Sequence, residues 1–198
     1  GELLLEHFSQ TRMFQVIPLM SLNFANAGTN SFANAVYSEV ATGPDSYTWY
    51  WATSGNDDLF GLIGNQDMSP RFRIRLVVPN LTNCEVYFGL GDFNADSALG
   101  FRINGDVISA VWWDSTPAVH YISIADIDLT EAHNYEASLT IGENVVWLID
   151  GVQVASLDIS DLEDPIVTAF GPEVFVRKTS SSSRVVVVYQ VFLEQDYF

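Results

Sequence analysis

Alternation of apolar and polar residues at a period of two, cut by short turn signals, constrains this chain more than any other feature of its sequence. Residues 133–157 show it best: they read as three short strands, with Gly142-Glu143-Asn144 breaking the first pair and Asp150-Gly151 the second. Asp150-Gly151 sits between two runs rich in β-branched residues. Asp-Gly tolerates the positive φ that both central positions of a type I′ hairpin turn require. Asn104-Gly105 is a second hairpin dipeptide, between strands expected over 99–103 and 107–113.

The same period recurs along the chain. Further strands are expected over 2–8, 13–24, 35–40, 47–53, 59–63, 70–78, 84–90, 119–124, 166–170, 173–177 and 184–194. Pro18 restricts the second of these to an edge or a bulge, because it has no N–H to give a ladder. Segment 124–132 has room for a turn of helix, although its Asp and Thr residues disfavour one. About a dozen strands at spacings near ten residues predict an all-β sandwich or barrel. At 198 residues, a single domain spanning 1–198 is expected.

Hydrophobic residues make up 48% of the chain, too many for a disordered segment. No apolar run nears the roughly 20 residues that a membrane-spanning helix needs. Leu3-Leu4-Leu5 is too short for a signal-peptide core and lacks its basic flank. The formal net charge is −17, with one Lys and seven Arg. Such a surface repels a phosphate backbone, so nucleic acid is not an expected partner. The acidic, lysine-poor composition fits a secreted or virion-exposed protein, or one from a salty environment, and demands none of them. Cys84 is the only cysteine, which excludes an intramolecular disulfide. It lies in the alternating run 84–88 and is expected as a small buried core residue.

Three stretches resemble a known family. Phe101-Arg102-Ile103-Asn104-Gly105-Asp106-Val107-Ile108, His133-Asn134-Tyr135-Glu136 and the hairpin over 145–154 are similar to the second half of a concanavalin A-like lectin/glucanase (laminin G-like) jelly roll. Tyr189-Gln190-Val191-Phe192-Leu193 resembles the closing strand of that fold and 3–8 its opening one, so the likeness extends over nearly the whole chain. It implies an all-β, two-sheet antiparallel jelly-roll sandwich with about six strands in each sheet. The superfamily carries lectins, glycosidases, adhesins and viral coat or tail domains, so the resemblance leaves the activity to particular residues.

Glycoside hydrolysis needs two carboxylates about 5–9 Å apart. The glucanases of the superfamily carry Glu-x-Asp-x-x-Glu or a close variant on one strand, and no such motif is present. Glu85 is the only acid central to a strong strand, and no acid stands two or four residues from it. Asp126 and Asp128 have the spacing but fall at a strand's end. Asp92, Asn94 and Asp96 place three oxygen ligands on alternate residues, as calcium loops do. An EF-hand would then require Gly and Glu where Ser97 and Ile103 stand. What remains is a simpler calcium loop, or a polar turn whose Asp and Asn side chains bond their own backbone. His7, His120 and His133 lack metal-ligand spacing, so zinc is not expected. No Gly-rich phosphate loop or serine-nucleophile elbow is present. Asn80-Leu81-Thr82 is a glycosylation sequon.

Six of the eight cations fall in two places: Arg71, Arg73 and Arg75 in one strand, and Arg177, Lys178 and Arg184 around a serine loop. In 71–76 the arginines line one strand face and the apolar residues the other. Three like charges on one face repel unless carboxylates on neighbouring strands answer them, and Glu85 on the next strand is one candidate for such a partner. The alternatives for this face are a solvated, ion-paired surface or a binding face for an acidic glycan or an acidic neighbouring subunit. Tyr47, Trp49 and Trp51 share a face and suit either the core or a sugar-stacking platform. Trp147 is expected in the core, together with one of Trp112 and Trp113, the other being exposed.

These observations predict a non-catalytic, surface-exposed binding or structural module of a virion, fibre or secreted assembly. Its partner would be a glycan or neighbouring copies of itself. The residues expected to bind are Arg73, Arg75, Glu85, Tyr87, Trp49 and Trp51, with calcium at Asp92, Asn94 and Asp96. A carbohydrate-binding module and a glycoside hydrolase are the alternatives. Segment 133–157 is expected to be scaffold, with Glu136, Glu143 and Asp150 assigned to turns and strand edges.

Overall fold

A computed structural model of the chain describes residues 12–15, 20–24, 46–50, 68–93, 97–113, 119–140, 142–161, 172–178 and 184–197. These form thirteen strands: β1 (Arg12–Gln15), β2 (Met20–Phe24), β3 (Ser46–Tyr50), β4 (Met68–Val77), β5 (Cys84–Asp92), β6 (Ser97–Asn104), β7 (Val107–Trp113), β8 (Val119–Ile124), β9 (His133–Thr140), β10 (Asn144–Ile149), β11 (Val152–Asp158), β12 (Pro172–Lys178) and β13 (Arg184–Tyr197). The first sheet runs β1-β13-β4-β9-β10-β11, with β2 also on β13, and the second runs β3-β12-β5-β6-β7-β8. Every pairing is antiparallel. The chain is therefore an all-β jelly-roll sandwich.

Alternation builds the two layers. In β4, Phe72, Ile74 and Leu76 are buried while Arg71, Arg73 and Arg75 face outward. In β5, Val86, Phe88 and Leu90 join the same core. Between the sheets, Tyr135 of β9 packs edge-on to Phe88 of β5 at 4.8 Å and Phe101 of β6 at 5.3 Å. Phe88 and Phe101 stack at 5.6 Å. Trp147 of β10 is fully buried, and its indole N–H donates to the Gly100 carbonyl of β6 at 2.9 Å. An indole donor left unmatched at this depth would cost about 1–3 kcal/mol, so this bond fixes how the two sheets face each other.

Gly89 and Gly100 stand opposite each other in the β5–β6 register. A Cβ on Gly89 would strike the Leu99 carbonyl, and one on Gly100 would strike the Phe88 carbonyl and, at 2.8 Å, the Phe93 ring. Phe93 therefore lies over bare backbone. It joins Tyr87, Ala98, Val111 and Phe175 in a second buried cluster on the outer face of the second sheet.

The turn signals come true with one shift. Asp150 and Gly151 both adopt positive φ, 50° and 80°, between the paired residues Ile149 and Val152, as a type I′ turn requires. The other hairpin forms one residue later than expected: Asn104 pairs with Val107, and Gly105-Asp106 make the turn. The strand expected over 13–24 is two strands, which pair with opposite ends of the fourteen-residue β13. Segment 124–132 holds turns and bends and no helix. Cys84 is buried, as expected. Trp112 and Trp147 are in the core, and Trp113 is half-buried against the second cluster rather than fully exposed. Strands expected over 2–8, 35–40, 59–63 and 166–170 lie outside the described residues.

Replacing Gly100 by Ala should cost about 3 kcal/mol or more, above the usual range for an overpacked methyl because the obstacle is backbone. Urea denaturation checks this, and a cost below about 1 kcal/mol would show that β5 and β6 separate easily.

Candidate functional site

The expected site residues divide between two surfaces. Arg73 and Arg75 belong to β4 in the first sheet, and Glu85 and Tyr87 belong to β5 in the second. Although consecutive in the chain, β4 and β5 do not pair. The connection through Pro79-Asn80 passes from one layer to the other, so the two outer faces point away from each other across the core. Glu85 is therefore not the partner of the arginines on β4.

That partner is Glu136 of β9. Glu136 stands opposite Arg73 in register, with Arg71 one step along the same face. It is buried, and its Oε1 accepts from Arg71 Nε at 2.6 Å while its Oε2 accepts from Arg73 Nε at 2.9 Å. A second Arg71 nitrogen also pairs with Oε1. Guanidinium groups on alternate residues of a strand stand about 7 Å apart. At that distance like charges repel by about 0.6 kcal/mol in water and about 2.4 kcal/mol at an effective dielectric of 20. One carboxylate held between Arg71 and Arg73 turns that repulsion into attraction. Glu136 is thus neither a turn acid nor a strand-edge acid, and 133–157 supplies part of this face. The missed signal was positional: Glu136 shares its strand face with Asn134 and Ser138, the side on which a partner for the arginine strand must lie.

Next along the face, β13 supplies aromatic rings. The Arg73 guanidinium lies 5.9 Å from the Phe192 ring centre, and that of Arg75 lies 5.8 Å from Tyr189. Tyr189 is the extra residue where the β13–β4 register shifts, and a bulge of this kind re-aims a side chain. It is 40% exposed. Arg75 is flanked in register by Gln190 and Asn134. The face thus offers two stacked guanidiniums, two amide side chains and an open tyrosine.

The second sheet's outer face is more closed. Glu85 takes Arg102 on Oε1 at 2.6 Å and Arg177 on Oε2 at 3.4 Å. The Tyr87 hydroxyl also donates to Glu85, at 3.4 Å. Arg102 lies over the Tyr121 ring at 5.1 Å and the Tyr87 ring at 5.8 Å. Tyr87 was expected to bind ligand, yet it is buried beneath Phe93 and Phe175. Burial first, then its hydrogen bond with Tyr121, pushes its hydroxyl pKa well above the usual tyrosine range. Glu173 is fully buried on this face and accepts the Phe93 N–H at 2.8 Å.

Trp49 stands opposite Val174, a core residue, in the β3–β12 register. Trp51 lies outside the described residues. Asp92 ends β5, whereas Asn94 and Asp96 lie outside the described residues. Among the described residues no three His, Cys, Asp or Glu side chains gather as a metal site, and no helix is long and apolar enough to cross a membrane.

No protein-family model and no curated protein sequence matches the chain. Solved structures do. The binding domain of Paraclostridial Mosquitocidal Protein 1 is similar at 10% identity and a TM-score of 0.57, over 95% of this chain and 45% of that one. A prokaryotic β-1,3-1,4-glucanase (lichenase) from a mouse hindgut metagenome is similar at 11% identity and 0.56, over 88% and 79%. A protein of unknown function from Shewanella oneidensis MR-1 is similar at 9% identity and 0.52, over 94% and 79%. The chain spans well under two thirds of some of these structures, 43% of the binding domain of botulinum neurotoxin DC among them. The fold is concanavalin A-like, and it serves both glycosidases and binding domains.

Substituting Glu136 by Ala should destabilise the chain by about 2–4 kcal/mol, since it leaves Arg71 and Arg73 facing each other without the buried acid. Glu136→Gln should cost less, and 1 M salt should shrink both penalties by screening. Urea denaturation at low and high salt measures this, and a penalty under about 0.5 kcal/mol would make Glu136 incidental.

Proposed function

We propose that this chain is a non-catalytic binding or structural module, displayed on a virion, a fibre or a secreted assembly. It presents the outer face of its first sheet to an acidic glycan or to a neighbouring copy of itself. The observation that carries the reading is the set of cations on that face: Arg71, Arg73 and Arg75, answered by the buried Glu136 and by Glu194 opposite Arg71 in register, in a chain of net charge −17. Arg71 and Arg73 remain 44% and 42% exposed even while paired. A guanidinium stacked on a ring keeps its N–H edge free for a carboxylate or sulfate. Another copy offers such acids in exposed Asp126, Asp128, Glu131, Asp158 and Asp161.

The positions of the acids favour binding over hydrolysis. Both oxygens of Glu85 are occupied by donors from Arg102, Arg177 and Tyr87 rather than turned to an open cleft. Glu173 shares that face but stands opposite Gly89, four residues along β5 from Glu85. That offset is roughly 13 Å of strand, beyond the 5–9.5 Å span of paired catalytic carboxylates. In the same proposal, calcium at Asp92, Asn94 and Asp96 stiffens the β5–β6 connection. Chelation with EGTA should then lower the melting temperature by a few degrees relative to millimolar calcium, and equal melting temperatures would remove calcium from the reading.

The binding face is tested by sedimentation velocity at 50 and 500 mM NaCl and by an array of neutral and acidic glycans, with the native chain and Arg75→Ala. Self-association or acidic-glycan binding should weaken at high salt and fall about tenfold in the variant. A salt-independent monomer that binds no acidic glycan would sink the proposal, and release of reducing sugar from a β-glucan would install the hydrolase instead.

A further inference from the structure

At one end of the first sheet, His133 opens β9 with both ring nitrogens engaged. Nδ1 is 2.6 Å from Oδ2 of Asp150, in the β10–β11 turn. Nε2 is 2.8 Å from the backbone carbonyl of Asp128, in the β8–β9 connection. A carbonyl and a carboxylate can only accept, so each ring nitrogen must carry a hydrogen for both contacts to attract. A neutral imidazole has one N–H and sets its other lone pair against an oxygen. We infer that His133 is a proton-dependent clasp: charged, it ties the acidic β8–β9 connection to the β10–β11 turn, and neutral, it lets the connection go.

The surroundings favour the charged form. Asp150 and Glu131 act on the ring, and Asp128 feels its charge too, while its carboxylate accepts from the Thr130 hydroxyl at 2.6 Å and N–H at 3.0 Å. Tyr135 meets the ring edge-on at 6.0 Å, and Leu76 of β4 stands opposite in register. Arg75, one register step away, is stacked on Tyr189 on the outer face. Burial opposes the charge, but the Asp150 and Asp128 hydrogen bonds outweigh it and raise the His133 pKa. Burial also opposes the charge on Asp150, and its bonds from the Asn134 N–H and from His133 more than offset this and lower its pKa.

The sign of the pH effect follows. A base whose pKa is raised on folding adds stability that is complete below its unfolded value, about 6.5 for imidazole, and is lost as pH rises through the folded midpoint. The lowered pKa of Asp150 sets the acid limit, so the clasp is closed between the two. Opening it frees a connection that carries Asp126, Asp128 and Glu131, with Asp126 held at a φ of 60°. This inference is independent of the arginine face.

The test is a pH 5–9 titration of the histidine side chains by long-range ¹H–¹⁵N NMR on the full chain, with hydrogen-exchange protection factors for the Thr130 and Glu131 amides. His133 should hold both N–H hydrogens at pH 6 and titrate above 6.5. Protection of the two amides should fall at least tenfold over the same interval. Asp150→Asn keeps a residue that suits the turn, and should bring the His133 midpoint down to the ordinary value or below. In a second variant, His133→Gln, the two amides should be weakly protected at every pH. A single neutral tautomer at pH 6, a midpoint unmoved by Asp150→Asn, or protection constant across the range would each overturn the clasp.

Discussion

Gly100 is where three layers of the molecule meet. On its inner side, its carbonyl receives the Trp147 indole from the opposite sheet; on its outer side, its missing side chain leaves room for Phe93. The hydrogen bond ties the two sheets together at this point, and the bare backbone lets a second apolar cluster settle on top. Much else follows from that tie. The aromatic group of Phe88, Phe101 and Tyr135 fills the core beside it, and the second sheet is buried on both faces over part of its area. A sheet covered on both faces has little outer surface left to offer a ligand, so among the described residues the outer face of the first sheet is the more open.

The open face has its own constraint, which is charge. Three arginines at alternate positions on one strand repel each other wherever the strand is placed, and the fold resolves this with a buried acid on the adjacent strand. The acid on β5 is occupied elsewhere, by Arg102 and Arg177. Each outer face therefore has one glutamate held between two arginines. The difference lies in what surrounds the pair. Around Glu85 the rings are Tyr87, largely buried, and Tyr121 on the last strand of its sheet. Around Glu136 they are Phe192 and Tyr189 of the long β13, with Arg75 left over. The first sheet thus has three arginines with Glu136 and with Glu194 opposite Arg71 in register, whereas the second has two arginines with Glu85 and Glu173.

The strands and turns could be read in the sequence because their causes are local. A period of two marks β4 and β10 most cleanly, and Asp150-Gly151 specifies its own turn. Which strands pair could not be read, because the cause is global. The runs 71–78 and 84–90 each alternate cleanly, and nothing in 79–83 states whether the chain makes a hairpin or crosses between layers. The mistaken pairing of Glu85 with the arginines, and the grouping of Tyr87 with them, both came from that ambiguity. Tyr87 also looked exposed because it occupies the polar side of its strand. Its burial depends on Phe93 and Phe175, one beyond the end of its own strand and the other far along the chain. Glu136 is illegible for a related reason: its neighbours in sequence are those of its own hairpin, whereas its partners lie on a strand more than sixty residues earlier.

β9 emerges as the strand with the most varied duties, and its pattern explains how they coexist. Residues on its inner side, Tyr135, Ala137 and Leu139, belong to the core. Glu136, on the outer side, neutralises β4. At the strand's end, where the core thins, His133 meets the polar turns that close the sheet. In the middle of β9, Glu136 is buried with two guanidiniums on its oxygens. At the end, His133 has no such partner and depends instead on a carboxylate and a carbonyl from two separate turns. Its contacts can therefore break without opening the core. A strand tied at its centre by two ion pairs and at its end by a titrating histidine confines the His133 response to the connecting loops, leaving the arginine face in place.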